Sequence, residues 1–323
     1  MWRIFNNALL ISVGCGRLST NQVDLMFLHR IKNGDFLAYI SVFFAVFSWA
    51  LNWIVGRAMK DDIGPVAMGF WRWFIAFLLI LPFCWREMQS KWSFIWAQRY
   101  QLCILGLLGA VAFNTFLYVG LQYTKPSNAS LINTALPTFI FVLSYFVNKE
   151  PIRKLQILGL LLSTIGVGVV VFRGDLSLFQ SLTFNAGDFW ILLAMSFWAT
   201  YTVLLKSRSV GVSPLLFLAA TLMFSLPFVM PFYLWEYSVR GGFAVNLQTI
   251  ATLIFYGTVP SILAYMLWNH GVTTIGANRT GIFVYLMPLL TISLAVIFLG
   301  ESVFGYHAVG ATAIFFGIWL TSR

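Results

Sequence analysis

The sequence predicts an all-α integral membrane protein of ten transmembrane helices, built as two inverted five-helix repeats, and three observations carry that expectation. The first is solvent preference. Of the 323 residues, 60% are hydrophobic and 9% charged, with a mean hydropathy of +0.85, a balance suited to lipid and not to water. The second is self-similarity. Moving the chain forward by 151 positions lays Gly120 on Gly271, Pro137 on Pro288, Leu143 on Leu294, Glu150 on Glu301, Gly159 on Gly310 and Gly166 on Gly317 without a gap. At an offset of 149, Trp49 meets Trp198, Pro65 meets Pro214 and Pro82 meets Pro231. The third is parity: each unit holds five apolar stretches. With an odd number of spans, the second copy must enter the bilayer from the opposite side.

Taken in order, residues 1–33 place Arg3, Arg17, Arg30 and Lys32 around a weak apolar run from Ala8 to Val13. That run is too short to span, so the segment reads as a cytoplasmic extension, with Met26 as an alternative start. A lipoprotein signal fits poorly, because Ser12 stands three places before Cys15 where an aliphatic residue belongs. Ten spans follow at 36–55, 65–84, 101–121, 127–147, 154–172, 188–205, 214–233, 249–270, 279–299 and 304–322. Each has roughly the 20 residues that a helix needs to cross a hydrocarbon core about 30 Å thick. Only helices can satisfy their own backbone in lipid at this spacing. The two repeats then occupy 34–172 and 187–322, which leaves no soluble domain.

Charge sets the orientation. With the amino terminus inside, fourteen of the twenty Lys and Arg fall in cytoplasmic segments and five (Arg57, Lys60, Lys125, Arg173, Arg240) outside. Arg72 lies within a span. This asymmetry on short loops predicts both termini in the cytoplasm of a multi-pass protein of the cell (inner) membrane. The net charge of +10 reports that orientation and no nucleic-acid partner. Trp85, Trp92, Trp96 and Tyr100 in the 85–100 link read as an aromatic anchor in the headgroup layer. Cys15, Cys84 and Cys103 share no metal-ligand spacing and read as free thiols, and His29, His270 and His307 are scattered, so no metal or other cofactor is expected.

Several polar groups lie at membrane depth. Arg72 sits about seven residues, roughly 10 Å, into the second span, where a guanidinium costs at least ~2.5 kcal/mol unless it faces the bundle. Two roles stay open: a clamp for an anionic group, or a hydrogen-bonding hub for helix carbonyls. Trp49, Asn52 and Trp53 share one face of the first helix, Asn114 and Tyr118 one of the third, and Tyr265, Trp268 and Asn269 one of the eighth. Trp49, Asn52, Arg72, Asn114, Tyr118, Asn133, Tyr201, Tyr265 and Trp268 are the candidate substrate-binding residues. Such a mixture of rings and amides suits a neutral or zwitterionic small molecule, and interhelical hydrogen bonding is the competing explanation. Pro137 and Pro288, expected mid-span in equivalent helices, are candidate hinges. Glu150 and Glu301 precede helices and read as dipole-stabilised caps, while Glu87 and Glu236 fall in links. No carboxylate is expected mid-membrane, which leaves a proton relay without a candidate and points to facilitated transport, exchange, or coupling through the solute's own charge.

Gly34-Asp35, the SWALNWIVGR run ending at Arg57, FWRWFIAFLLILPF from Phe70 to Phe83, KPSNASLINTALP from Lys125 to Pro137, and the Glu150 and Glu301 junctions resemble the EamA type of the drug/metabolite transporter superfamily. The resemblance covers about 34–322. It departs at Asn148-Lys149-Glu150, where the second half keeps Gly300-Glu301. It implies ten spans, a central cavity, and alternating-access transport of a small metabolite such as an amino acid, by efflux or exchange, with membrane lipid as the other partner. Oligomeric state is not fixed by it. The alternatives are a membrane-embedded enzyme acting on a lipid-linked substrate, for which the acid/base candidates are dispersed, and a non-transporting scaffold.

Overall fold

The computed structural model describes residues 20–58, 62–124, 129, 132–175, 185–205, 211–299 and 302–322. Everything regular among them is helical. The contact pattern separates Met1–Leu37 from Ala38–Arg323; in the first unit the described residues form the amino-terminal part of one long helix, α1 (Thr20–Ala58). The second unit continues α1 and adds α2 (Pro65–Ser90), α3 (Trp92–Ala97), α4 (Arg99–Gly106), α5 (Phe113–Tyr123), α6 (Ala135–Asn148) and α7 (Lys154–Val171). After a further link come α8 (Ala186–Leu204), α9 (Pro214–Arg240), α10 (Leu247–Gly257), α11 (Ala264–Ile275), α12 (Ala277–Gly281), α13 (Met287–Leu299) and α14 (Gly305–Ser322).

Among the described residues, seven helical stretches are long and apolar enough to cross a membrane: Gly34–Asn52, Pro65–Ser90, Arg99–Tyr123, Lys154–Val171, Ala186–Leu204, Pro214–Arg240 and Leu247–Ile275. Phe83, Ile165, Phe189 and Trp235 are among the large apolar side chains left exposed, as expected where the solvent is hydrocarbon. Trp85, Trp92, Trp96 and Tyr100 are exposed as well, and the Arg99 guanidinium lies 4.4 Å from the Tyr100 ring centre and 5.1 Å from that of Trp96.

The repeat is written into the packing. α7 and α14 touch through glycines in opposite sequence order, Gly159 against Gly317 and Gly166 against Gly310. The two helices therefore run in opposite senses. A methyl built on Gly159 would lie 2.5 Å from the Gly317 carbonyl oxygen, and one built on Gly317 equally close to that of Gly159. Only glycine admits this approach. Between the two contacts Ser163 Oγ donates to the carbonyl of Ile314, its own repeat equivalent, so the local two-fold axis passes there.

A second reciprocal contact joins α2 and α9. The Glu236 carboxylate accepts from the amides of Val66 (3.1 Å) and Ala67 (2.7 Å) at the start of α2. Its repeat equivalent, Glu87, accepts from the Ser213 amide (3.0 Å) at the start of α9 and from Lys91 Nζ (2.8 Å). The two ends differ because the caps differ. Ser213 Oγ already satisfies the amide of Leu216, whereas Gly64 has no side chain and leaves α2's first amides to Glu236. Both glutamates thus lie in helices and not in links as expected, and Glu236 is buried.

Four expectations need correction. The α4–α5 and α10–α11 rods are interrupted by π turns at Leu107–Ala112 and Thr258–Leu263, the same place in each repeat. α2 runs past 84 to Ser90, and the 92–97 link is itself a short helix. Pro137 and Pro288 do not sit in regular α-helix: Pro137 stands third in α6, after a turn at Thr134, and Pro288 follows a 3-10 stretch at Ile282–Leu286 within a helical run that is unbroken over 277–299. Each proline thus stands where the helix geometry changes, and its missing N–H leaves one rung out of the ladder there. Finally, α7 is closed by Gln156 Oε1 accepting from the Arg153 amide, while Glu150 reaches across to Asn278 Nδ2 (3.2 Å) of the second half. Glu301 and Cys15 lie outside the described residues, as does the side chain of Trp53; Cys84 and Cys103 are free thiols.

Candidate functional site

A cavity opens where the halves meet, lined by Trp49, Asn52, Arg72, Phe113, Asn114, Leu117, Tyr118, Asn133, Leu136, Met195, Trp198, Tyr265, Val284 and Met287. Four pairs among these are repeat equivalents: Trp49 with Trp198, Asn114 with Tyr265, Asn133 with Val284, and Leu136 with Met287. The cavity therefore straddles the two-fold relation. Its water-accessible volume is about 50 Å³. That is far below the roughly 300–1,000 Å³ of a site that encloses a small-molecule ligand, so the cavity is narrow.

The π turns supply its polar floor. Pro260 has no N–H to give the Tyr256 carbonyl, and Ser261 Oγ donates to it instead at 2.7 Å. The Pro260 carbonyl in turn accepts from Trp49 Nε1 (3.1 Å) and Arg72 Nη2 (2.8 Å). At the equivalent position of the first half, the Gly109 carbonyl accepts from the Tyr265 hydroxyl at 2.6 Å. Arg72 is 3% exposed and has no repeat counterpart, since Thr221 stands in its place. Its Nε donates to Ser261 Oγ at 2.6 Å, and its Nη1 to Asn114 Oδ1 (3.3 Å) and the Tyr118 hydroxyl (3.5 Å). The guanidinium also sits 5.1 Å from the Trp73 ring centre. Trp49, Trp198 and Tyr265 meet edge to face at centroid distances of 5.1–6.2 Å, a geometry that keeps ring edges and faces available to a ligand.

Seven of the nine sequence-selected residues lie on this wall: Trp49, Asn52, Arg72, Asn114, Tyr118, Asn133 and Tyr265. Tyr201 and Trp268 lie behind it, where the Tyr201 hydroxyl donates to Asn269 Oδ1 (2.9 Å) and Trp268 Nε1 to Thr202 Oγ1 (3.3 Å). Trp198 and Val284 escaped notice although the repeat relation points to them from Trp49 and Asn133 in the other half; Leu136 and Met287, equivalent to each other, had no such pointer. Phe113, Leu117 and Met195 carry no polar mark by which sequence could select them. Among the described residues no three His, Cys, Asp or Glu side chains come together. His270 Nδ1 pairs with Ser41 Oγ, and His307 Nδ1 accepts from the Phe304 amide.

Comparison with known proteins agrees with this architecture. The chain is similar to an "Uncharacterized transporter YyaM" of Bacillus subtilis (strain 168), 27% identical over 281 residues that cover 86% of this chain and 91% of the relative. It is 28% identical over 280 residues to an "Uncharacterized transporter" of Archaeoglobus fulgidus, covering 85% and 93%. It is 25% identical over 302 residues, covering 90% and 94%, to a "Probable amino-acid metabolite efflux pump" of Salmonella typhimurium. A solved crystal structure superposes with a TM-score of 0.72 at 18% identity, over 88% of this chain and 95% of the other, which speaks to fold. The sequence profile of the EamA-like transporter family matches twice, at 36–172 and 185–323. A helical chain with membrane-length spans, one family unit in each half and a shared cavity between them is a multi-pass membrane transporter of small solutes, and it belongs to the EamA-like transporter family.

Proposed function

We propose that this chain is a secondary transporter that moves a small organic solute, an amino acid or related metabolite, across the cell membrane by alternating access around the Arg72 cavity, by efflux or exchange. The observation that carries this reading is that the cavity wall is assembled from equivalent residues of both halves, so that a rigid rocking of one half against the other opens it to either side. In this reading the α6 and α12–α13 segments and α14 cross the membrane along with the seven long spans, which makes ten crossings, five to each of the repeats 34–172 and 187–322. The opposed senses of α7 and α14 support an inverted relation between them. Residues 1–33 and the carboxyl terminus then lie in the cytoplasm, following the asymmetry of basic residues.

In this reading Trp49, Asn52, Asn114, Tyr118, Asn133 and Tyr265 contact the solute together with Arg72, and Tyr201 and Trp268 support them from behind. The changes of helix geometry before Pro137 and Pro288 act as hinges, because a helix that turns at Thr134 or tightens to 3-10 over 282–286, with a proline N–H missing just beyond, bends there more easily than a regular one. Counterflow in proteoliposomes tests the proposal. Liposomes preloaded with individual amino acids, nucleotides or sugars should show saturable, trans-stimulated uptake of at least one of them. No counterflow with any of the three classes would contradict it.

A further inference from the structure

The buried guanidinium of Arg72 has no counter-charge among the described residues. The carboxylates of Glu87, Glu150, Asp188 and Glu236 are engaged with Lys91 and Ser213, Asn278, Thr124 and Asn185, and α2's first amides respectively. What holds Arg72 is a set of neutral acceptors divided between the halves. Asn114 and Tyr118 belong to the first, and Pro260 and Ser261 to the second. The second-half acceptors are not orphaned if Arg72 leaves. The Pro260 carbonyl keeps Trp49 Nε1 at 3.1 Å, and Ser261 Oγ keeps its own donation to Tyr256. The guanidinium, by contrast, must be given another acceptor at the same depth, and an ionised one binds roughly twice as strongly as a neutral one. On the same wall, Asn52 Oδ1 is buried without a partner, an empty acceptor beside an unpaired cation.

We propose, on the reading that this cavity is the transport site, that Arg72 is its specificity-determining residue for a carboxylate on the solute. The carboxylate takes the guanidinium away from Pro260 and Ser261. Binding then removes a tie between the two halves at the place where they must separate, so recognition and opening are one exchange of hydrogen-bond acceptors. A neutral isostere cannot make this exchange on equal terms, because it offers the guanidinium no better acceptor than the one it already has.

Benzoate and benzamide, of matched shape and different charge, are the probes. Each is titrated into the purified full-length protein in phosphatidylcholine nanodiscs while tryptophan emission is followed, since Trp49 shares the Pro260 carbonyl with Arg72. Benzoate should give a saturable change, benzamide one at least about tenfold weaker, and Arg72→Gln should weaken benzoate by at least about tenfold, with Arg72→Lys between. Equal responses to the two probes, an Arg72→Gln affinity within about twofold of the parent, or no response to benzoate would overturn the proposal. Should Arg72→Gln not fold, Ser261→Ala carries the test: with the competing acceptor gone, benzoate should bind about threefold tighter, and unchanged or weaker binding counts against the exchange. Counterflow on the same preparations separates the two claims. Transport without any benzoate response sinks this inference alone, and benzoate binding without transport of anything sinks the transport reading.

Discussion

Trp49 and Trp198 stand at equivalent positions and differ by one bond. Trp49 Nε1 donates to the Pro260 carbonyl, while Trp198 Nε1 is buried without an acceptor because the matching Gly109 carbonyl is taken by Tyr265. Replacing either ring with phenylalanine removes an indole N–H, but only Trp49 loses a hydrogen bond by it, while Trp198, the more deeply buried ring, sheds a donor that has no acceptor. Trp49→Phe should cost about 1 kcal/mol more than Trp198→Phe in thermal unfolding; equal losses would mean that the Pro260 contact contributes nothing. Asn114→Ala should lower transport at least about tenfold with insertion intact, because it removes an Arg72 acceptor from the wall. Arg72 itself was legible because a charge at membrane depth has few uses. The position of Trp268 was not: Tyr265, Trp268 and Asn269 share a face by 3.6-residue spacing, yet of the three only Tyr265 lines the cavity, while the other two bond to Thr202 and Tyr201.

At the scale of elements, helix positions followed from hydropathy, and what escaped were the departures from regular helix. Leu107–Ala112 and Thr258–Leu263 carry the same π turn on unrelated sequences, LLGAVA and TVPSIL. Only the second contains a proline, so no local signal marks both. The Glu87 and Glu236 caps, in contrast, were available from the 149-residue offset that aligns them, and were obscured by ending α2 and α9 too early. Glu236→Gln should destabilise by about 1–2 kcal/mol through loss of a charged cap at α2, and Glu87→Gln by less, since Ser213 Oγ still caps α9. Thermal unfolding of the two variants in one detergent checks the order; reversal would show that the caps are not what holds α2 to α9. At the α7–α14 crossing, Gly166→Leu should force the helices apart and cost at least about 1–3 kcal/mol, whereas a leucine at Gly168, which has nothing within 4 Å of the new methyl, should be tolerated.

For the whole molecule, composition and the internal repeat made the membrane class and the two-unit plan readable, since both are properties summed over many residues. The narrowness of the cavity was not readable, because it depends on how two halves of identical plan are set against each other. The carboxylates described here lie near the ends of the membrane-length stretches or between helices, so a pH gradient should not drive strong uphill accumulation of a neutral solute in vesicles; accumulation collapsed by an ionophore would contradict facilitated transport or exchange. The central claim is that one cavity, narrow in this conformation, opens to each face in turn. A cysteine at Asn133 on the cavity wall, in a protein with Cys15, Cys84 and Cys103 replaced by alanine, tests it with a membrane-impermeant thiol reagent applied from one side of sealed vesicles and then from the other. Labelling from both sides is the expected result; labelling from one side only, or from neither in a folded protein, would contradict the account.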